Sequence, residues 1–210
     1  MMELDEVYTV RTIKRDPKDR ELKFETALEH LCTLKSLENV SYMLSQINFS
    51  QLEPITEISV FKKGIMPLWE DPANSNGAQW NLKFSNDISE RIFQKFLISF
   101  ITTKFESLDI NGIVYSARKS FCYLSIWSSN YEDGMMDNVS REILRALSLP
   151  IKVRIYVKPT QESLKDSSSF RKNIERTHEN EDEEREEEEE GRFSYVGLDR
   201  SELGDDPYLP

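Results

Sequence analysis

Apolar residues in this chain switch between two spacings, and that switch limits the fold more than any other feature. Trp80, Leu82 and Phe84 alternate within residues 79–84, and the alternation recurs in FCYLSIW at 121–127. At 151–157, Ile151, Val153, Ile155 and Val157 alternate with Lys152, Arg154 and Tyr156. A period of two is the mark of a half-buried strand. Shorter β-rich runs stand at 7–13, 57–62 and 112–117, and Asn76-Gly77 and Asn111-Gly112 precede two of these runs as candidate tight turns. Three stretches have helical spacing instead. Leu37, Val40, Leu44 and Ile47 share a face behind a possible cap at Ser36. Ile88, Ile92, Phe96, Ile98 or Phe100, and Ile101 make a broad stripe, with Asp87 and Glu90 placed like a capping box. Val139, Ile143 and Leu147 make a shorter helix that Pro150 is expected to stop. Strands and helices mix without a βαβ rhythm. The expected class is therefore α+β, a mainly antiparallel sheet with about three helices on one face.

The net charge of −11 is unevenly spread. Residues 1–160 carry 20 Lys and Arg against 21 Asp and Glu, whereas residues 161–210 carry 7 against 17. The body is close to neutral, so the low pI does not exclude an anionic ligand. Residues 1–160 are expected to form the folded domain. Nine of the ten residues from 181 to 190 are acidic, and 161–192 is expected to be a self-repelling, disordered segment. Residues 193–210 hold some aromatics and read as an extension with no assigned docking place. Cys32 and Cys122 are too few for a disulfide framework and suggest reduced thiols. The acidic start MMELDEVYTV does not suit a signal peptide, and no apolar run approaches the ~18 residues of a membrane span. The Asn-x-Ser matches at Asn39, Asn48 and Asn138 are then chance, and the expected compartment is the cytoplasm, with a nuclear fraction allowed.

Residues 64–80, GIMPLWEDPANSNGAQW, carry the functional question. Trp69 stands directly before Glu70 and Asp71, and turn residues follow. Two adjacent carboxylates do not suit a buried strand, because both would lose water. An aromatic face beside an acid suits a flat, electron-poor ligand with N–H donors. Catalysis fits poorly. Adjacent residues on an extended chain point opposite ways and do not flank one bond. His30 and His178 are the only histidines, and there is no Gly-rich phosphate loop, metal-ligand spacing or nucleophile triad. No metal or cofactor is expected.

In order, GIMPLWED, a turn, GAQWNLKF, a helix ending near Phe105, INGIVYSARKSFCYLSIW, a short helix and LSLPIKVRIYV resemble the translation initiation factor 4E family, which binds the 7-methylguanosine cap of messenger RNA. The likeness covers about residues 34–157, and 7–33 more weakly. Its specific parts are W-E-D with a second Trp eleven residues after the first, and an Arg with a Trp nine residues on. The resemblance implies a curved sheet with helices on its convex face. It also implies a methylated base stacked between two aromatics, Trp69 and, by register, Phe24, where the family more often has Trp. Glu70 would accept from guanine N1–H and N2–H, Trp127 would pack near the methyl group, and Arg118 would reach the phosphates. A cationic base between aromatic faces gains stacking and cation–π attraction, about 1–2 kcal/mol per contact once water is excluded.

Several positions depart from the family pattern. Gln79 stands where an Arg usually supports the phosphates, and Ser120 and Tyr123 replace basic residues. Lys158 and Lys165 are candidate replacements to which the sequence assigns no position. The helical face implied to receive a scaffold factor 4G-like protein or a binding protein would include Leu37, Ser41, Tyr42, Gln94 and Lys95, with Ser41 in place of an anchoring Trp. The rival expectation is an interaction protein that keeps this fold and has lost the cap. A further idea is that the acidic run screens the pocket by mimicking the phosphates.

Overall fold

The computed structural model describes residues 2–14, 28–52, 56–149, 153–162 and 194–196. Phe24, Lys165 and the acidic run 181–190 lie outside the described residues. The elements in order are β1 (Glu3–Lys14), β2 (Leu28–Ser36), α1 (Leu37–Gln46), a 3-10 turn (Phe49–Gln51), β3 (Thr56–Lys62), β4 (Ala78–Ser85), α2 (Asn86–Thr102), β5 (Ile110–Ala117), β6 (Phe121–Ser128), α3 (Met136–Leu147), β7 (Ile155–Pro159) and β8 (Ser194–Val196). All eight strands form one curved sheet in the order β2-β1-β3-β5-β6-β4-β7-β8, and every neighbouring pair is antiparallel. The α+β expectation holds, with the helices on the convex face.

The period-two alternation assigns each strand residue to a face. Val10, Val60, Trp80, Leu82, Ile113, Leu124, Ile126 and Val157 point to the helix side and join Phe93, Phe96, Leu97, Val139 and Ile143 in one buried core. Trp80 is fully buried there, and its indole N–H donates to Ser128 Oγ at 3.3 Å. Rings interlock across the layers: Tyr8 meets Phe100 edge-on at 5.1 Å, and Phe93 meets Tyr115 at 5.5 Å. Cys32 and Cys122 are free thiols, as expected.

Several local expectations need correction. Ser36 does cap α1, its Oγ accepting from the Asn39 N–H at 3.3 Å. The capping box on α2 does not form: Ser85 is the N-cap without a side-chain bond, and Glu90 instead accepts from Gln94 Nε2 at 2.9 Å. The buried stripe of α2 is Ile92, Phe93, Phe96, Leu97, Phe100 and Ile101, while Ile88 and Ile98 are exposed. α3 ends before Pro150, because Ser148 takes a left-handed conformation (φ 48) and returns its N–H to Arg145 O. β7 begins at Ile155, so Val153 and Arg154 of the expected strand fall outside it, and Ile151 and Lys152 lie outside the described residues. Asn111-Gly112 is no turn but part of β5. β2 and β8 had no sequence signal, and β8 places part of the C-terminal extension against β7.

Candidate ligand site on the open face

The face opposite the helices is built in rows, because directly opposed residues of an antiparallel pair share a side. One row runs Thr9, Phe61, Gly112, Trp127, Gln79, Lys158 across six strands. The next runs Arg11, Ser59, Val114, Ser125, Asn81, Tyr156. A third holds Ile13, Glu57, Ser116, Tyr123 and Lys83. These rows are mostly polar, yet one end carries a separate apolar cluster of Phe61, Val114 and Trp127, with Ile65 and Trp69 packed against it. Phe61 is 0% and Trp127 6% exposed, with ring centroids 5.6 Å apart at 71°. Gly112 makes this contact possible, since a Cβ there would lie 2.3 Å from the Phe61 ring. Trp127 Nε1 is buried with no hydrogen-bond partner among the described residues.

The loop between β3 and β4 covers the cluster and is tightly held. Asp71 Oδ2 accepts from the Met66 N–H at 2.8 Å, and its Oδ1 accepts from the Ala73 N–H at 2.9 Å, an Asx turn. The buried amide of Asn74 donates to Met66 O at 2.8 Å and to Leu68 O at 2.9 Å. Asn111, from β5, donates to Ala73 O at 2.7 Å and to Asn74 Oδ1 at 2.9 Å. Gly77 closes the loop against β6, where a Cβ would come within 1.7 Å of Ser128 O. The outcome is a fixed loop with Trp69 half-buried and Glu70 exposed at its surface. Glu70 and Asp71 look alike in sequence, but only Asp71 is bonded into the loop.

Among the described residues, Arg11, Arg118, Lys83 and Lys158 bring cations to this face. Arg11 Nη1 donates weakly to Ile65 O at 3.5 Å, and burial pushes its guanidinium pKa down. Arg118 follows β5, six residues beyond Gly112, about 20 Å along the strand. It donates to Ala117 O at 3.0 Å and pairs with Glu57 Oε1 at 3.7 Å. Lys83 Nζ sits 4.1 Å from the Phe121 ring centroid, and Lys158 Nζ 5.6 Å from that of Trp69. The structure thus brings Trp69, Glu70 and Trp127 to one end of the face and holds Arg118 toward the other. Of the expected residues on the helical side, Leu37 is half-buried against the core, Ser41 and Lys95 are exposed, Gln94 is half-buried and Tyr42 is 69% exposed.

Sequence reasoning missed Phe61, Asp71, Asn74 and Asn111 as builders of the site, and Glu57 as the partner of Arg118. Asp71-Pro72-Ala73-Asn74 did carry a turn signal that separates Asp71 from Glu70. The rest are tertiary contacts between distant segments.

A single curved antiparallel sheet, helices behind it and an aromatic-bearing loop over its open face define an α+β ligand-binding module. The model of the family "Eukaryotic initiation factor 4E" matches residues 3–175, and the chain belongs to that family. It is 32% identical over 161 residues to "Eukaryotic translation initiation factor NCBP" of Triticum aestivum, which covers 75% of this chain and 69% of the relative. It is also 32% identical over 169 residues to "Eukaryotic translation initiation factor 4E-4" of Caenorhabditis elegans, 78% of each chain. Among solved structures, C. elegans eIF4E-3 in complex with the 4E-binding protein Mextli and a cap analog matches with a TM-score of 0.69 and 22% identity, over 80% of this chain and 95% of that one. At that identity the likeness is one of fold.

Proposed function

We propose that this chain binds the 7-methylguanosine end of messenger RNA on its open face and acts in translation initiation or its regulation, in the cytoplasm. The support is the loop of residues 64–77. It fixes a half-buried Trp69 beside an exposed Glu70, over the Phe61–Val114–Trp127 cluster. Trp69 stacks on the methylated base, whose positive charge adds cation–π attraction of about 1–2 kcal/mol. Glu70 accepts from guanine N1–H and N2–H, a charge-assisted pair stronger than neutral bonds. Both groups read the base without a covalent step. Trp127 lies beside the methyl group, with its indole N–H buried and unpartnered among the described residues. Phe24, outside the described residues, is the second stacking face.

The test is tryptophan fluorescence quenching by 7-methyl-GTP, with GTP as control, on the wild type and Glu70→Ala. Quenching selective for the methylated nucleotide and lost in the variant is expected. Equal, weak quenching by both would refute the reading and favour a protein acting through its partners alone. The surface of α1 and α2, around Leu37, Ser41, Tyr42, Gln94 and Lys95, is the proposed partner face. With Ser41 small, exposed Tyr42 is its aromatic anchor. Tyr42→Ala is expected to weaken capture of a Tyr-x4-Leu-type helical peptide at least fivefold; unchanged capture would remove Tyr42 from that role.

A further inference from the structure

The row that ends the open face pairs a neutral residue with a cation. Gln79 of β4 is directly opposed by Trp127 on one side and by Lys158 of β7 on the other. The three side chains therefore share the ligand-facing side. Lys158 sends its ammonium to 5.6 Å from the centroid of Trp69, the ring proposed to stack on the base. A methylated guanine is itself cationic, so a lysine ammonium and the base do not share one ring face without like-charge repulsion. The same ligand carries its own counter-charge in the phosphate chain. Arg118 is already shared with Glu57 at 3.7 Å, which leaves it less available to that chain.

We propose that Lys158 is a phosphate-binding cation of this site: on ligand entry its ammonium leaves the face of Trp69 and pairs with the phosphate chain beside Gln79. The inference rests on the function proposed above. Lysine suits the exchange, because its four-carbon stem lets the ammonium move while its Cα stays in the strand. One charge then serves two states, covering the ring when the site is empty and binding phosphate when it is full.

The test uses the full chain as wild type, Lys158→Gln and Lys158→Arg, with 7-methylguanosine nucleoside, 7-methyl-GTP and GTP as ligands. Lys158→Gln is expected to weaken 7-methyl-GTP about 5- to 10-fold, less than for a fully buried charge-assisted contact because solvent screens a pair on the open face. It should leave the nucleoside no weaker and flatten the salt dependence of triphosphate binding. Lys158→Arg is expected to keep most of the affinity. Equal weakening of nucleoside and triphosphate would assign Lys158 a structural role and overturn the proposal. An unchanged ratio of triphosphate to nucleoside affinity would overturn it too, while leaving base recognition intact. Wild type that does not distinguish 7-methyl-GTP from GTP would instead remove the function on which the proposal rests.

Discussion

Glu70 and Asp71 are neighbours of identical charge, and truncating each to alanine should have opposite signatures. Asp71→Ala removes the acceptor of two backbone N–H groups, Met66 at 2.8 Å and Ala73 at 2.9 Å. A bond to a charged acceptor contributes about 1.5–3 kcal/mol, and partial re-solvation in this half-buried loop returns some of it. A net loss of about 2–3 kcal/mol follows for the pair. For a domain of this size that is a fall in melting temperature of about 4–12 °C. The loop also carries Trp69, so affinity for 7-methyl-GTP should drop with it. Glu70 is exposed, and its truncation is expected to change stability by less than about 0.5 kcal/mol. The assay is thermal and urea unfolding of both variants in the absence of ligand, followed by nucleotide titration. A stable Asp71→Ala, or a Glu70→Ala destabilised as much as its neighbour, would refute this division of roles.

Gly112→Ala forces a Cβ to 2.3 Å from the Phe61 ring, and overpacking of this kind costs about 1–3 kcal/mol; urea unfolding should register it, and wild-type stability would show that the ring moves freely. Glu57→Gln releases Arg118 from its ion pair and is expected to tighten 7-methyl-GTP roughly two- to fivefold at low salt. Titration at two ionic strengths checks this, and a weaker variant would mean that Glu57 positions Arg118 rather than competing for it. Burial, then the charges of Glu6 and Asp5, raise the Tyr8 phenol from 10.0 to about 12. Folding thus favours the protonated phenol, so this contribution is complete below pH 10 and fades as pH rises through about 12. Tyr8→Phe should flatten the alkaline fall in stability across that window, and an unchanged pH profile would exclude Tyr8 as its source.

Sequence carried the elements whose surroundings are one-sided. β4 lies inside the sheet with a core face and a polar face, so Trp80, Leu82 and Phe84 alternate cleanly with Gln79, Asn81 and Lys83. In β6, Cys122, Leu124 and Ile126 keep the core-side period although Trp127 makes part of the other face apolar too. β2 is an edge strand whose Leu28, Leu31 and Leu34 recur every third residue, a spacing that fits neither template. α2 is apolar almost all round, so its periodicity could not choose Phe93 and Leu97 over Ile88 and Ile98; contact with the sheet chose. Asn111-Gly112 looked like a turn because its two jobs, holding the loop and admitting the Phe61 ring, are set by residues distant in sequence. Trp69-Glu70 was legible for the opposite reason: a tryptophan beside two acids has no ordinary core explanation.

The apolar cluster on the open face also explains why the binding loop is so heavily bonded. A sheet face in contact with water would not keep Phe61 and Trp127 buried; they are dry because Ile65 and Trp69 lie against them. Each large side chain so buried stabilises by about 1.5–3 kcal/mol, and that stabilisation disappears if the loop lifts. Asn74 and Asn111 satisfy the carbonyls that this covering would otherwise strand. The wall of the pocket is thus part of the folded core, and the loop is fixed before any ligand arrives, so binding need not supply the entropy of ordering it. Glu70 contributes nothing to that closure. Its carboxylate sits exposed at the rim, so the boundary between what holds the fold and what we propose reads the base falls between residues 70 and 71.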